Sequence, residues 1–313
     1  MGLYLNPGND LFYETVNSPI YVDKTLMLKE VNKLLRTSGK FVCISRPRRF
    51  GKTTASSMIA SYYSKGCDSK ELFAPLKISQ EADFEKHLNK YNVIQIDLNT
   101  FYKSSKNPEN LIEQITLSIN KELIKSFPEV DINLEEDMLA TSMLKIWAET
   151  KEPFVFLLDE YDVLVREQVS KSLFEKYLDF LSSLFKNSTL KPAIALAYLT
   201  GILPIVRDKI QSKMNEFDEY SMIYAGQFAE FVGFTEDESA SLCKKYDMDY
   251  DECRRWYDGY RLNDKVSVYS PKSMVSAMLS NEFGNYWTKT GSYEALSNYI
   301  LMNFDGIKDD VIA

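Results

Sequence analysis

The chain has 313 residues, 45% of them apolar and 26% charged, which suits one large α/β domain with a smaller appendage. A net charge of −8 excludes the global positive field that drives non-specific nucleic-acid binding, and leaves Arg46, Arg48 and Arg49 as the densest local basic patch. One histidine excludes multi-histidine metal centres, and four scattered cysteines without a C-x-x-C pair read as reduced thiols of a cytoplasmic protein.

The N-terminus "MGLYLNPGND" has no basic stretch leading into an apolar block, so it is not a signal peptide, and Asn6 stands where a myristoylation signal needs Ser or Thr. The segment "YVDKT" (21–25) leads into "TLMLKEVNKLL", a helix for which Asp23 or Thr25 is a candidate N-cap. Strands are expected at 41–45, 93–98, 154–158 and 193–199, with helices at 52–64, 81–90, 108–126, 135–149 and 171–187. Near-continuous apolar strands alternating with helices imply a parallel sheet covered on both faces, with ligands at the carboxyl ends of the strands. His87, in the charged run "EADFEKHLNK", is expected on a helix surface. The longest apolar run, "PAIALAYLTGILPIV" (192–206), is shorter than the ~20 residues of a membrane span and reads as a buried strand with its exit loop, so no membrane contact is expected.

The first strand runs into Arg46-Pro47-Arg48-Arg49-Phe50-Gly51-Lys52-Thr53-Thr54, which ends as a phosphate-binding loop ends. Gly51 lets backbone approach phosphate, and the following helix start offers unpaired N–H groups. Lys52 would meet the β- and γ-phosphates, Thr53 would ligate Mg²⁺, and Thr54 would reach the α-phosphate. The position that normally opens such a loop with glycine holds Arg46, and Pro47 is available to fix the turn instead. About a hundred residues on, "FVFLLDE" (154–160) has the form of a Walker B strand. Asp159 would hold the Mg²⁺ shell and Glu160 would polarise the attacking water, a residue hydrolysing ATPases of the additional-strand type carry. Thr200, at the end of the next strand, stands where such enzymes sense the γ-phosphate. Further on, Thr235 and Glu238 have capping-box spacing. The rest reads as short helices and turns, with "WYDGY" (256–260) a tight turn anchored by Trp256 and Tyr260 around Gly259.

The motifs "YVDKT", "SRPRRFGKTT", "LLDEYD", "LTGI", "FVGFTEDE" and "WYDGY", in that order, resemble the bacterial AAA-ATPase-like family. The loop beginning R-P-R-R-x-G-K is similar to that of archaeal-type and STAND ATPases, so the resemblance makes Arg46 a lineage feature. It implies a P-loop ATPase domain over 1–234, a smaller, mainly helical lid or partner domain over 235–313, and Asp23 and Lys24 on the adenine side. Many members continue into a PD-(D/E)XK nuclease-like domain. Here Glu149-Thr150-Lys151 is the lone glutamate-x-lysine triplet, at a helix end instead of a strand, and the final residues "FDGIKDDVIA" stop abruptly for a chain of this aromatic content, so something further is expected to follow. A naturally short member and a piece of a longer chain both remain open. Nucleic acid would enter only through that nuclease domain.

Three functions follow. The first is an ATP- and Mg²⁺-dependent switch over an attached or partner effector, in mobile-element or phage conflict by resemblance. The second is a non-catalytic nucleotide-gated interaction module. The third is a ring-forming homo-oligomer with Arg207, Arg254 or Arg255 reaching a neighbour's phosphate.

Overall fold

The computed structural model describes residues 2–205, 214–257, 260–262 and 266–286. Strands β1 (Phe41–Ser45), β2 (Asn92–Asp97), β3 (Phe154–Asp159), β4 (Ile194–Gly201) and β5 (Asp218–Tyr220) form one sheet in the order β2-β3-β4-β1-β5, with all pairings parallel. β4 therefore stands between the strand that carries the loop and the strand that ends in Asp159. That inserted strand is the mark of an additional-strand P-loop sheet, as the sequence leads one to expect. β5 is a three-residue edge strand without an apolar run, so periodicity gives no hint of it.

The alternation of β3 explains why helices cover both faces. Phe154, Phe156 and Leu158 pack with the helices Leu111–Ser126, Leu139–Thr150 and Lys171–Phe185 on one side. Val155 and Leu157 pack with the loop helix Lys52–Tyr63 and the helix Met27–Leu34 on the other. Each apolar side chain buried this way contributes roughly 1.5–3 kcal/mol. The far edge of β2 is closed by the N-terminus, where Leu5 bridges Ile94 and Asn6 N–H donates to the Val93 carbonyl at 2.7 Å. Glu122 accepts the N–H groups of Leu3, Tyr4 and Leu5 and pins that segment.

Beyond β5, strands β6 (Phe234–Thr235), β7 (Tyr260–Leu262) and β8 (Val266–Tyr269) form an antiparallel sheet in the order β6-β8-β7. It packs with the helices Glu236–Lys245, Tyr250–Tyr257 and Pro271–Ser280 around Leu242, Cys253, Tyr269 and Met274, and Ile20 from the N-terminal segment joins that core. Helices dominate here as expected, but β7 and β8 were not legible among the turn residues. Thr235 and Glu238 form the expected capping box, with both reciprocal bonds present.

Two expectations are corrected. His87 is 8% exposed, not on a surface, because the segment around it collapses to a single turn, Phe84–His87, and its Nδ1 meets the Tyr91 hydroxyl at 2.8 Å. Trp256 is 45% exposed and Tyr257 is the buried anchor, because the helix Tyr250–Tyr257 runs through both and turns Tyr257 inward. Gly259 lies outside the described residues.

Candidate nucleotide-binding site

The loop between β1 and the helix Lys52–Tyr63 turns through left-handed backbone at Arg49 (φ 69°) and Gly51 (φ 89°). A Cβ on Gly51 would meet nothing within 4 Å, so conformation and not space calls for glycine there. Gly51 caps the helix without any side-chain bond, which leaves the first N–H groups of a 12-residue helix free for an anion.

Arg46 is fully buried and runs sideways, away from the role of the glycine it replaces. Its Nη1 donates to the carbonyls of Ser45 and Tyr220, both at 2.9 Å, and so ties the loop strand to edge strand β5. Nε and Nη2 have no hydrogen-bond partner among the described residues, and burial pushes the guanidinium pKa down to about 10. Lys52, 7% exposed, lies across its own loop, with Nζ donating to the Arg46 and Pro47 carbonyls at 2.9 Å each. Burial pushes its pKa down to about 8, against the pull of Asp159, Asp162 and Glu160.

Asp159, 4% exposed, faces this lysine from the end of β3. Burial raises its pKa, opposed first by a hydrogen bond from Thr200 and then by one from Thr53. Glu160 follows with left-handed backbone, φ 54°, uncommon for a residue with a side chain. Its carboxylate takes Arg166 Nη2 at 2.5 Å, and Arg166 Nε lies 3.3 Å from Asp162. Asp162 accepts the N–H groups of Ile202 (3.0 Å) and Leu203 (2.8 Å), clamping the exit of β4. A Cβ on Gly201 would meet the Tyr161 ring at 2.5 Å, which accounts for the glycine after Thr200.

Beside Gly51 and Thr54 opens a largely apolar cavity of about 170 Å³. Tyr21, Val22 and Lys24 line it from the N-terminal segment, Phe50 from the loop, and Gly233, Phe234 and Val275 from beyond β5. Tyr21 presents a buried hydroxyl with no hydrogen-bond partner among the described residues. Phe50 is held edge-on against Tyr260 at 5.1 Å.

The family described as predicted AAA-ATPase matches residues 13–211, well over half of the sequence. The chain belongs to that family. No curated protein is matched. Among solved structures, the chain is similar to Orc1 of Aeropyrum pernix, solved in complex with DNA, at 12% identity and a TM-score of 0.41, over 77% of this chain and 53% of that one. It is also similar to Cdc6p of Pyrobaculum aerophilum, at 15% identity and a TM-score of 0.35, over 75% and 52%. The chain spans about half the length of these solved structures.

The fold thus brings Arg46, Pro47, Phe50, Gly51, Lys52, Thr53, Thr54, Asp159, Glu160 and Thr200 around one sheet end. Arg48 is half-buried and Arg49 exposed, and neither pairs with an acid among the described residues. Asp23 does not line the cavity. Its Oδ1 accepts the Thr25 N–H and hydroxyl and its Oδ2 the Lys77 N–H, but neither Asp23 nor Thr25 is the N-cap the sequence offered: the helix Met27–Leu34 starts after Leu26 with no side-chain cap bond. Arg254 sits 3.9 Å from Glu236, Arg255 is exposed, and Arg207 lies outside the described residues. Sequence reasoning missed Tyr21, Asp162 and Arg166. The i,i+4 spacing of Asp162 and Arg166 was the readable signal for the last two.

Proposed function

We propose that the chain binds Mg²⁺-ATP at this sheet end, hydrolyses it slowly, and uses the difference between ATP and ADP to alter residues from 235 onward and, through them, an effector. The observation that carries this reading is the convergence of Lys52, Thr53, Asp159, Glu160 and Thr200 on one helix N-terminus. The base would enter the apolar cavity, with Tyr21 offering its hydroxyl. The phosphates would take the helix N–H groups and draw Lys52 from the two loop carbonyls it now holds. Arg48 and Arg49, with no acidic partner among the described residues, are available to the phosphate oxygens.

The Thr53 hydroxyl and Asp159 carboxylate give a hard cation two oxygen positions, which fits Mg²⁺. No group of three or more metal-binding side chains occurs among the described residues, and Mg²⁺ in such sites completes its shell from water and substrate phosphate. When bound, Mg²⁺ neutralises charge on the β- and γ-phosphate oxygens. Glu160 accepts the proton of the attacking water as its oxygen bonds to the γ-phosphorus and the bond to ADP breaks. Thr200, buried against Asp159, is placed to register loss of the γ-phosphate. The partner is a protein effector or another copy of the chain. No helix among the described residues is long and apolar enough to cross a membrane.

The test is Glu160→Gln, which keeps the shape and removes the base. ATP still binds, while turnover falls by ~10²–10⁴-fold. Unchanged turnover in a preparation free of contaminating ATPase would remove Glu160 from the mechanism.

A further inference from the structure

Glu160 does not stand free at the site. Its backbone is left-handed and held by three bonds: its N–H to Asp159 Oδ1 at 3.0 Å, its carbonyl from Val163 N–H at 3.0 Å, and the next N–H, of Tyr161, to the Thr200 carbonyl at 3.0 Å. Strained backbone that the surroundings over-determine is a device of functional sites, because it fixes where a side chain leaves the chain. One flexible side chain then remains to be oriented. Arg166, its side chain 8% exposed, supplies the orientation through Nη2 to Glu160 Oε2 at 2.5 Å. Arg166 is itself aimed by Asp162, 3.3 Å from its Nε, and Asp162 is anchored to the Ile202 and Leu203 N–H groups at the end of β4.

We propose that Arg166 is a positioning residue for hydrolysis: its guanidinium bridges the fixed carboxylate of Asp162 and the mobile one of Glu160, and turns the second Glu160 oxygen toward the attacking water. This rests on the reading of Glu160 as general base. The planar fork of arginine suits the task, since Nη2 hydrogen-bonds Glu160 while Nε stays at ion-pair distance from Asp162 without a hydrogen bond, a spread that an ammonium on a flexible stem does not hold. Lys52 feels Glu160 and Arg166 together, which puts the pair within electrostatic reach of the group that would meet the phosphates.

The experiment compares the wild-type chain with Glu160→Gln, Arg166→Lys and Arg166→Gln. Each is measured for Mg²⁺-ATP affinity by titration, for kcat and KM, and for thermal stability. A positioning role predicts ATP affinity near wild type in both Arg166 variants and kcat lower by about 10–10²-fold, the scale of a misplaced catalytic group. Arg166→Gln loses both donors and shows the larger fall in kcat, with KM near wild type. Arg166→Lys keeps one donor for Glu160 without the planar fork, so its kcat recovers part of the loss seen in Arg166→Gln. A merely structural arginine would lower thermal stability and ATP affinity together with kcat, with no recovery in Arg166→Lys, which overturns the proposal. Wild-type kcat in both variants overturns it as well, and leaves the reading of Glu160 standing if Glu160→Gln is inactive. A rise in kcat overturns it by showing the pair to be a restraint. Absence of turnover in the wild-type chain, or full turnover in Glu160→Gln, overturns both readings.

Discussion

The hydroxyl of Thr200 donates to Asp159 across the neighbouring ends of β4 and β3, with both residues buried. Asp159 carries a raised pKa from burial, and this bond and the one from Thr53 oppose the rise. Removing Thr200 therefore raises the Asp159 pKa further. A hydrogen bond to a charged group is worth roughly 1.5–3 kcal/mol and a neutral one roughly 0.5–1.5. A carboxyl whose folded pKa lies above its unfolded value binds protons more tightly when folded. Its penalty is absent at low pH and grows as pH rises from the unfolded value through the folded one. Thr200→Val is thus expected to cost about 2 kcal/mol at neutral pH and less near pH 4. Urea unfolding at the two pH values checks this, and an equal loss at both would mean Asp159 is not the group affected.

Lys52 gives a second pH signature, in binding. Its pKa of about 8 in the free chain means that above this value the ammonium needed by phosphate is increasingly lost. Bound phosphates favour the charged form, so binding takes up a proton, and affinity for ATP falls by about tenfold per pH unit above that point. The free chain shows the opposite trend. Because the folded value lies below the ordinary 10.5, the unfolded chain holds the extra proton between about 8 and 10.5, and stability rises with pH across that window. Calorimetric titration of ATP from pH 7 to 9.5 measures the effect, and Lys52→Met should flatten it along with weakening binding.

Arg46 permits a test of the missing glycine. Arg46→Gly restores the common loop pattern but strips the donor from the Ser45 and Tyr220 carbonyls. An unsatisfied buried acceptor costs roughly 1–3 kcal/mol, so the variant is expected to be less stable and no better at binding ATP. Denaturation midpoints and an ATP titration decide it. Improved affinity with unchanged stability would mean that the arginine obstructs the loop.

The main sheet and the phosphate loop were legible because their signals are local: an apolar strand, then glycine, lysine and two threonines opening a helix. The acidic strand end was legible for the same reason. What the sequence hid depends on long-range pairing. Arg46 owes its role to Tyr220, 174 residues away, and β5 is too short and polar to announce itself. His87 stands in a charged run, yet packing of Tyr91 against its ring, 6.0 Å between centroids, takes it inside. Tyr21 reads as part of a cap segment until the chain beyond β5 closes a cavity over it.

The last prediction concerns how nucleotide state would reach the C-terminal segment. Lys24 lines the cavity, and its Nζ donates to the Glu230 carbonyl at 2.6 Å and pairs with Glu238. The same oxygen of Glu238 accepts the Thr235 N–H at 2.8 Å as part of the capping box that starts the helix Glu236–Lys245. The Lys24 and Glu238 side chains are 15% and 23% exposed, so the pair is largely shielded from salt, and burial lowers the Lys24 pKa despite the glutamate. A base that moves Lys24 must therefore disturb the first turn of that helix. ATP binding only the folded chain, at a thousand times its dissociation constant, adds about 4 kcal/mol of stability, but stability alone does not make a switch. A switch requires ATP and ADP to differ in affinity for two arrangements of the chain. In Glu160→Gln, which holds ATP intact, amide exchange in residues 236–245 is expected to differ between the ATP and ADP states. Thr200→Ala should shrink that difference with ADP affinity nearly unchanged, because only the γ-phosphate differs between the two nucleotides, whereas Lys24→Met should shrink the change that both nucleotides cause relative to the free chain. Identical exchange in the two nucleotide states would remove the switch and leave a passive nucleotide binder.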